Sequence, residues 1–337
     1  MTLATEQASS RSSGRISRLL SVLRTFFIGL LLCLTPPTSI IVLGWLQGDM
    51  RRTAYRRAGP PLAPDDRLGW LLGVRGSGRI SRLLGGLAQN IRSGLNLAVC
   101  LLLATFPFTS FWLAAWWAGW ENSFNKGYEQ AFVGPLLGLG GVAIFVMIMI
   151  YLPMAIAHQA VERRPFAFFE FRHVRSAVAY SGWRYVFLGA TTLFFALPIF
   201  ASRGLPTFGE GIFPGLADMD TGQVAQLRQF IDLSTAGYLF VSLVILRRWS
   251  ARIYTDAVIW AAKGVDADIW RISALANSLT LTSSKSGRPW RFFRLVRFLI
   301  LAAIWTGFAF LIYVGQFLHH SWHVWLTHPF TFLPWTM

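Results

Sequence analysis

Six long apolar segments, separated by loops whose net charge alternates in sign, constrain this chain more than any other feature. They run near 25–46, 94–120, 131–157, 184–202, 233–255 and 295–318. At about 1.5 Å per helical residue, each is long enough for an apolar layer about 30 Å thick. A soluble domain of 337 residues needs more charge than the 14% present to cover its surface, and 54% of the residues are hydrophobic. The expected fold class is all-α: a polytopic membrane protein with about five transmembrane helices, a proline-split first segment and amphipathic helices on the cytoplasmic side.

The formal charge of +16 would suit nucleic acid, but the arginines sit beside the apolar spans and no nucleic-acid recognition motif is present. Anionic lipid head groups are the better partner. Residues 47–93 carry nine Arg against three Asp, and 247–297 carry ten basic against three acidic residues. Residues 158–183 carry four Arg against two Glu, whereas 121–130 and 203–232 are net acidic. The positive-inside rule then places 47–93, 158–183 and 247–297 in the cytoplasm, with 121–130, 203–232 and the C-terminus outside. Trp112, Trp116, Trp117 and Trp120 are expected as an aromatic belt at the outer interface.

The segment 25–46 breaks this pattern, because arginine-rich sequence flanks it on both sides. Pro36-Pro37 falls at its midpoint, where two missing N–H groups interrupt a helix. Either a re-entrant hairpin with both ends cytoplasmic and its tip buried, or a kinked span with the N-terminus outside, fits the residues. The organisation is read as a basic cytoplasmic segment (1–24), the proline-split segment (25–46) and a basic cytoplasmic loop with an amphipathic helix (47–93). A helical transmembrane domain (94–318) and an interfacial tail rich in His and Trp (319–337) follow.

Two repeats are visible. Ser-Gly-Arg-Ile-Ser-Arg-Leu-Leu occurs at 13–20 and again at 77–84, each time before an apolar segment. Arg15, Arg18, Arg79 and Arg82 alternate with apolar residues at helical spacing, which suits docking to anionic lipid or to a partner. The second repeat is looser: Ala155, Ile156 and Ala160 align with Ala257, Val258 and Ala262. Each set precedes an amphipathic stretch and another span, which suggests two parallel units. Phe166, Phe169, His173 and Val174 make the apolar face in the first, and Ile269, Ile272, Leu275, Ala276 and Leu279 in the second.

Residues able to carry chemistry are few. His158 follows small residues at the end of a span. His319 and His323 lie one helical turn apart in a tail that also holds Trp322, Trp325 and Trp335. These histidines are the cofactor candidates, although no nearby acid or cysteine completes a metal set around the terminal pair, and no cofactor is expected. Asp256 is a candidate for an ion pathway because acids in spans are costly, with Arg252 four residues earlier as its ready partner. Gly134, Gly138, Pro153 and Pro198 read as helix-packing points and kinks. Cys33 and Cys100 lie in apolar segments as small hydrophobes. There is no P-loop, dinucleotide fingerprint, GxSxG or HExxH, so no catalytic residue is assigned and the chain reads as non-enzymatic.

Three stretches carry a likeness. Leu34-Thr35-Pro36-Pro37 leads through Gly44-Trp45 to Arg51-Arg52, with Gly86-Leu87 and Arg92-Ser93-Gly94-Leu95 after it. Ala157-His158-Gln159-Ala160 precedes Phe166 to Phe171 with Glu170-Phe171-Arg172. Trp325-Leu326-Thr327-His328-Pro329-Phe330 runs to Leu333-Pro334-Trp335. Together they resemble a bacterial family of polytopic membrane proteins known only as a domain of unknown function. The resemblance implies a multi-pass protein of the bacterial cytoplasmic (inner) membrane and supplies no site residues. The expected function is a membrane accessory, scaffold or assembly subunit, working with other membrane subunits or a second copy of itself. A small transporter or channel, and a haem-, pigment- or metal-binding protein, are the alternatives.

Overall fold

The computed structural model describes residues 20–60, 78–118, 132–212, 215, 218–279 and 291–319. Every regular element among them is helical. In order these are α1 (Leu20–Cys33), α2 (Pro36–Ala58), α3 (Arg79–Trp116), α4 (Val133–Glu162), a 3-10 turn (Ala167–Phe169), α5 (Phe171–Tyr180) and α6 (Trp183–Ile212). Then come α7 (Thr221–Lys263), the single turns α8 (Ala267–Trp270) and α9 (Ala274–Asn277), and α10 (Arg291–His319). Five of them, α3, α4, α6, α7 and α10, are long and apolar enough to cross a membrane.

The chain breaks at Leu34-Thr35, immediately before the proline pair, which occupies the first turn of α2 where absent N–H groups cost nothing. Pro36 leaves the Leu32 carbonyl without its i+4 donor. The Thr38 hydroxyl replaces it at 2.8 Å and lies 2.6 Å from the Thr35 hydroxyl. The break reverses the chain. Phe26 of α1 and Trp45 of α2 both pack on Phe240 of α7, with ring centroids 6.5 and 5.9 Å away. On one straight helix those two residues would stand about 28 Å apart. At the tip Cys33 and Ser39 are buried, while Thr35 and Pro37 lie on the surface.

Hairpin partner α2 runs antiparallel to α3 at very close range. A Cβ on Gly44 would strike the Asn90 carbonyl, and one on Gly94 would strike that of Ile40. Extending this register sets Pro36 opposite Ala98, about 27 Å short of the far end of α3, so the hairpin tip stops partway along the bundle. Residues 47–93 were expected to be a loop bearing a surface helix. Instead α2 continues to Ala58, and the second copy of the basic repeat forms the first turns of the long α3, with Ile80, Leu83 and Leu84 exposed. Arg82 is exposed there too; Arg15, Arg18 and the Arg79 side chain lie outside the described residues.

The looser repeat corresponds to two helical units, α4–α5–α6 and α7–α8–α9–α10. Ser250 donates to the Pro153 carbonyl and His158 meets Tyr254, so α4 and α7 run in the same direction. Gly189 faces Leu301 and Gly307 faces Leu193, so α6 and α10 are also parallel. The second amphipathic stretch is not one helix. It breaks at Arg271–Ser273, where Ser273 caps α9, leaving Leu275 buried and Ile272 exposed.

Candidate functional site

The charged loops converge on one end of the bundle. There Arg57 and Arg184, from α2 and α6, both bond Asp256 of α7 at 2.9–3.3 Å. This corrects the expected pairing with Arg252: the carboxylate points between neighbouring helices, and the exposed Arg252 is not among its partners. Asp49 of α2 bonds Arg248 at 2.6 and 3.1 Å. Arg51 donates to the Val161 carbonyl at the end of α4, and Arg297 to that of Ala179 at 3.0 Å.

At the same end, a polar cluster joins the two helical units. His158, fully buried at the end of α4, places Nε2 2.9 Å from Glu170 Oε2 and Nδ1 2.7 Å from the Tyr254 hydroxyl. His173 of α5 stacks on it, with centroids 5.0 Å apart, and its Nδ1 lies 3.3 Å from the same Glu170 oxygen. Trp270 sets its edge or face at 82–90° to both imidazoles. Arg164 holds Glu170 Oε1 at 2.8 Å. Burial alone would raise the Glu170 carboxyl. Its hydrogen bond with His158, and the charges of His158, Arg164 and His173, outweigh that and hold it below the usual carboxylate range. Glu162 accepts from the Ser273 hydroxyl at 2.7 Å and the Ala274 N–H at 3.2 Å, and so anchors the start of α9. His158, a cofactor candidate from the sequence, is a core residue bonded to Glu170 and Tyr254. Glu170 and His173 were missed as partners because they lie 12 and 15 residues away, beyond a chain break.

A cavity of about 130 Å³ lies between α3, α4, α6, α7 and α10. Its wall is mostly apolar, with Phe108, Phe145, Met149, Leu188, Phe195 and Phe308 among the lining residues. Lining residues on α4 extend from Phe145 to Ile156, about 16 Å along the axis. Two features stand out in it. Arg247 is the only charged residue in the lining, and no carboxylate among the described residues pairs with it. Trp305 also lines it, fully buried, with an indole N–H that has no acceptor among the described residues. Pro153 adds a third, since its missing N–H frees the carbonyl of Met149 beside the cavity.

Of the expected packing points, Gly134 and Gly138 are buried in α4, and Pro153 meets Ser250. Pro198 is exposed on α6. Close approaches also involve other glycines: Gly44 and Gly94 against backbone carbonyls, Gly29 against the Phe240 ring and Gly141 under the Trp112 ring. Trp112 itself is fully buried among Phe108 and Phe145, not part of an outer belt; Trp117 is exposed. Cys33 and Cys100 are free and buried. His319 is the last residue of α10; its side chain and His323 lie outside the described residues.

These features define an all-α, multi-pass membrane protein with a basic polar end and an apolar internal cavity. Comparison with protein-family models, curated proteins and solved structures finds no match for the chain.

Proposed function

We propose that this protein is a non-enzymatic membrane accessory that holds an anionic amphiphile, a fatty acid or phospholipid, with its acyl chain in the internal cavity and its head group on Arg247. The observation that carries the reading is Arg247, with no carboxylate partner among the described residues, in a mostly apolar lining. A guanidinium in such surroundings is costly, and a carboxylate or phosphate is the group that removes the cost. Trp305 supplies a second donor with no acceptor among the described residues. An apolar cavity of about 150 Å³ is known to accept benzene, so this one takes the end of an acyl chain without rearrangement.

The wider setting follows from the charge pattern. The basic end faces the cytoplasm of a bacterial inner membrane, by the positive-inside rule and the family resemblance. Arg247 lies within one turn of Ser250, which bonds the Pro153 carbonyl, on the stretch of α7 that leads to the basic end. Docking of other membrane subunits or a second copy belongs to the same proposal, and co-purification from native membranes tests it. Asp256, the candidate for an ion pathway, is held by two arginines and is not among the described residues that line the cavity.

Native mass spectrometry of delipidated protein tests the ligand. Dodecanoate, dodecanol and dodecyltrimethylammonium are compared on the wild type and on Arg247→Gln. A charge-assisted hydrogen bond contributes about 1.5–3 kcal/mol, so the wild type should prefer dodecanoate over dodecanol by roughly 10–100-fold. Arg247→Gln should abolish that preference while retaining dodecanol. Equal preference in both proteins would sink the proposal.

A further inference from the structure

We propose that His158, Glu170 and His173 form a binding site for a divalent transition metal, with Zn²⁺ as the best fit, at the junction of the two helical units. The three donor atoms, His158 Nε2, Glu170 Oε2 and His173 Nδ1, all lie within 4.8 Å of one another. Zn–N and Zn–O bonds of about 2.0–2.1 Å in a tetrahedron place neighbouring donors about 3.3 Å apart. The two distances to Glu170 Oε2 are 2.9 and 3.3 Å, so little movement is needed.

The outer hydrogen bonds allow the tautomers a metal requires. The Ile269 carbonyl can only accept, so His173 carries its proton on Nε2, 2.8 Å from that oxygen. For a neutral imidazole this leaves the Nδ1 lone pair facing a carboxylate oxygen. On His158 the Tyr254 hydroxyl can donate to or accept from Nδ1, so the ring can give up its Nε2 hydrogen bond to Glu170 and offer that nitrogen's lone pair to an entering cation. Three lone pairs then converge on one point, and a cation satisfies all three. Fixing a ligand histidine through its other nitrogen is the usual outer arrangement of metal sites. Arg164 reaches both carboxylate oxygens, Oε1 at 2.8 Å and Oε2 at 3.1 Å, so a metal on Oε2 would shift Arg164 onto Oε1.

Two imidazoles and one carboxylate match borderline ions such as Zn²⁺, and exclude a hard all-oxygen ion such as Ca²⁺. His158 belongs to α4 and His173 to α5, and their outer partners Tyr254 and Ile269 belong to the second unit. Metal binding would therefore lock the junction between the units, independently of any amphiphile in the cavity.

Purified full-length protein, stripped with chelator, is titrated with Zn²⁺ alone by calorimetry, and with Co²⁺ by visible absorption. One equivalent is expected, with a Co²⁺ spectrum of a four- or five-coordinate nitrogen–oxygen site and a rise in the unfolding temperature. Replacing His319, His320, His323 and His328 together with Gln should leave that equivalent in place, whereas His173→Ala should remove it. Tyr254→Phe, which keeps the ligands, should weaken binding by about tenfold. Should His173→Ala fail to fold, X-ray absorption of the zinc-loaded tail variant must still show two imidazoles and no sulfur. Absence of stoichiometric binding to the wild type, or its loss in the tail variant alone, would overturn the assignment.

Discussion

Replacing Gly94 with Ala tests the α2–α3 seam most directly. A Cβ there would collide with the Ile40 carbonyl oxygen, and would lie 2.9 Å from the carbonyl carbon and 3.0 Å from Ile40 Cγ2. Ordinary carbon contacts are about 3.5–4.0 Å, so the helices must part by roughly 0.5–1 Å, since a backbone carbonyl cannot rotate aside as a side chain can. A gap of that size forfeits about a quarter of the dispersion energy of each buried side chain on the seam. For a leucine with about 50 contacts near 0.15 kcal/mol each, the loss is roughly 2 kcal/mol. Leu43 and Leu97 both sit in this core. Two such losses, reduced by the gain of about 1 kcal/mol that alanine brings to a helix, predict a net cost of about 2–3 kcal/mol. The internal control is Gly48 on α2, where a Cβ meets nothing within 4 Å. Gly48→Ala should be neutral or stabilising by up to about 1 kcal/mol. Unfolding of both variants in mild detergent, followed by tryptophan fluorescence, decides the matter. A Gly94→Ala protein as stable as Gly48→Ala would refute the close approach.

Other outcomes follow from the same geometry. Asp49→Asn should destabilise by about 2 kcal/mol, because the Asp49 side chain is only 10% exposed and Arg248 loses its partner. Asp256→Asn should cost less, about 1 kcal/mol, since Arg57 and Arg184 are 52% and 68% exposed and water screens them. Comparing the two by thermal unfolding checks the ranking, and a reversed order would contradict it. A Thr5→Cys variant, in a background with Cys33 and Cys100 replaced by Ala, should react with an impermeant thiol reagent only after the membrane is opened. Labelling in intact cells would place the N-terminus outside and exclude a hairpin with both ends cytoplasmic.

Fold class and helix positions were legible because they depend on local properties. Apolar runs bounded by charge located α4, α6 and α10, and the Pro36-Pro37 break located the α1–α2 hairpin. Of the basic segments 47–93, 158–183 and 247–297, the described parts that the alternating charges put on one side do meet at one end of the bundle. The offset between residues 155–160 and 257–262 indicated two units running in parallel. The site was much less visible. His158 and Asp256 were singled out, but their partners were not, since nothing in the neighbouring sequence links Asp256 to Arg57 or His158 to Tyr254.

The sequence by itself determined that this chain is helical, which segments are apolar enough to span, where the first helix breaks and on which side the arginines collect. Each of those depends on residues within a few turns of one another. Only the tertiary structure decided which face of each helix turns inward, and in what register. That choice buried Trp112 instead of leaving it in a belt, and set Gly44 and Gly94 against carbonyls 46 and 54 residues away in sequence. It brought Glu170 and His173 to His158, and left Arg247 in a cavity with no counter-charge among the described residues. Helix rotation and register are fixed by the combined packing of several helices, so no single segment encodes them.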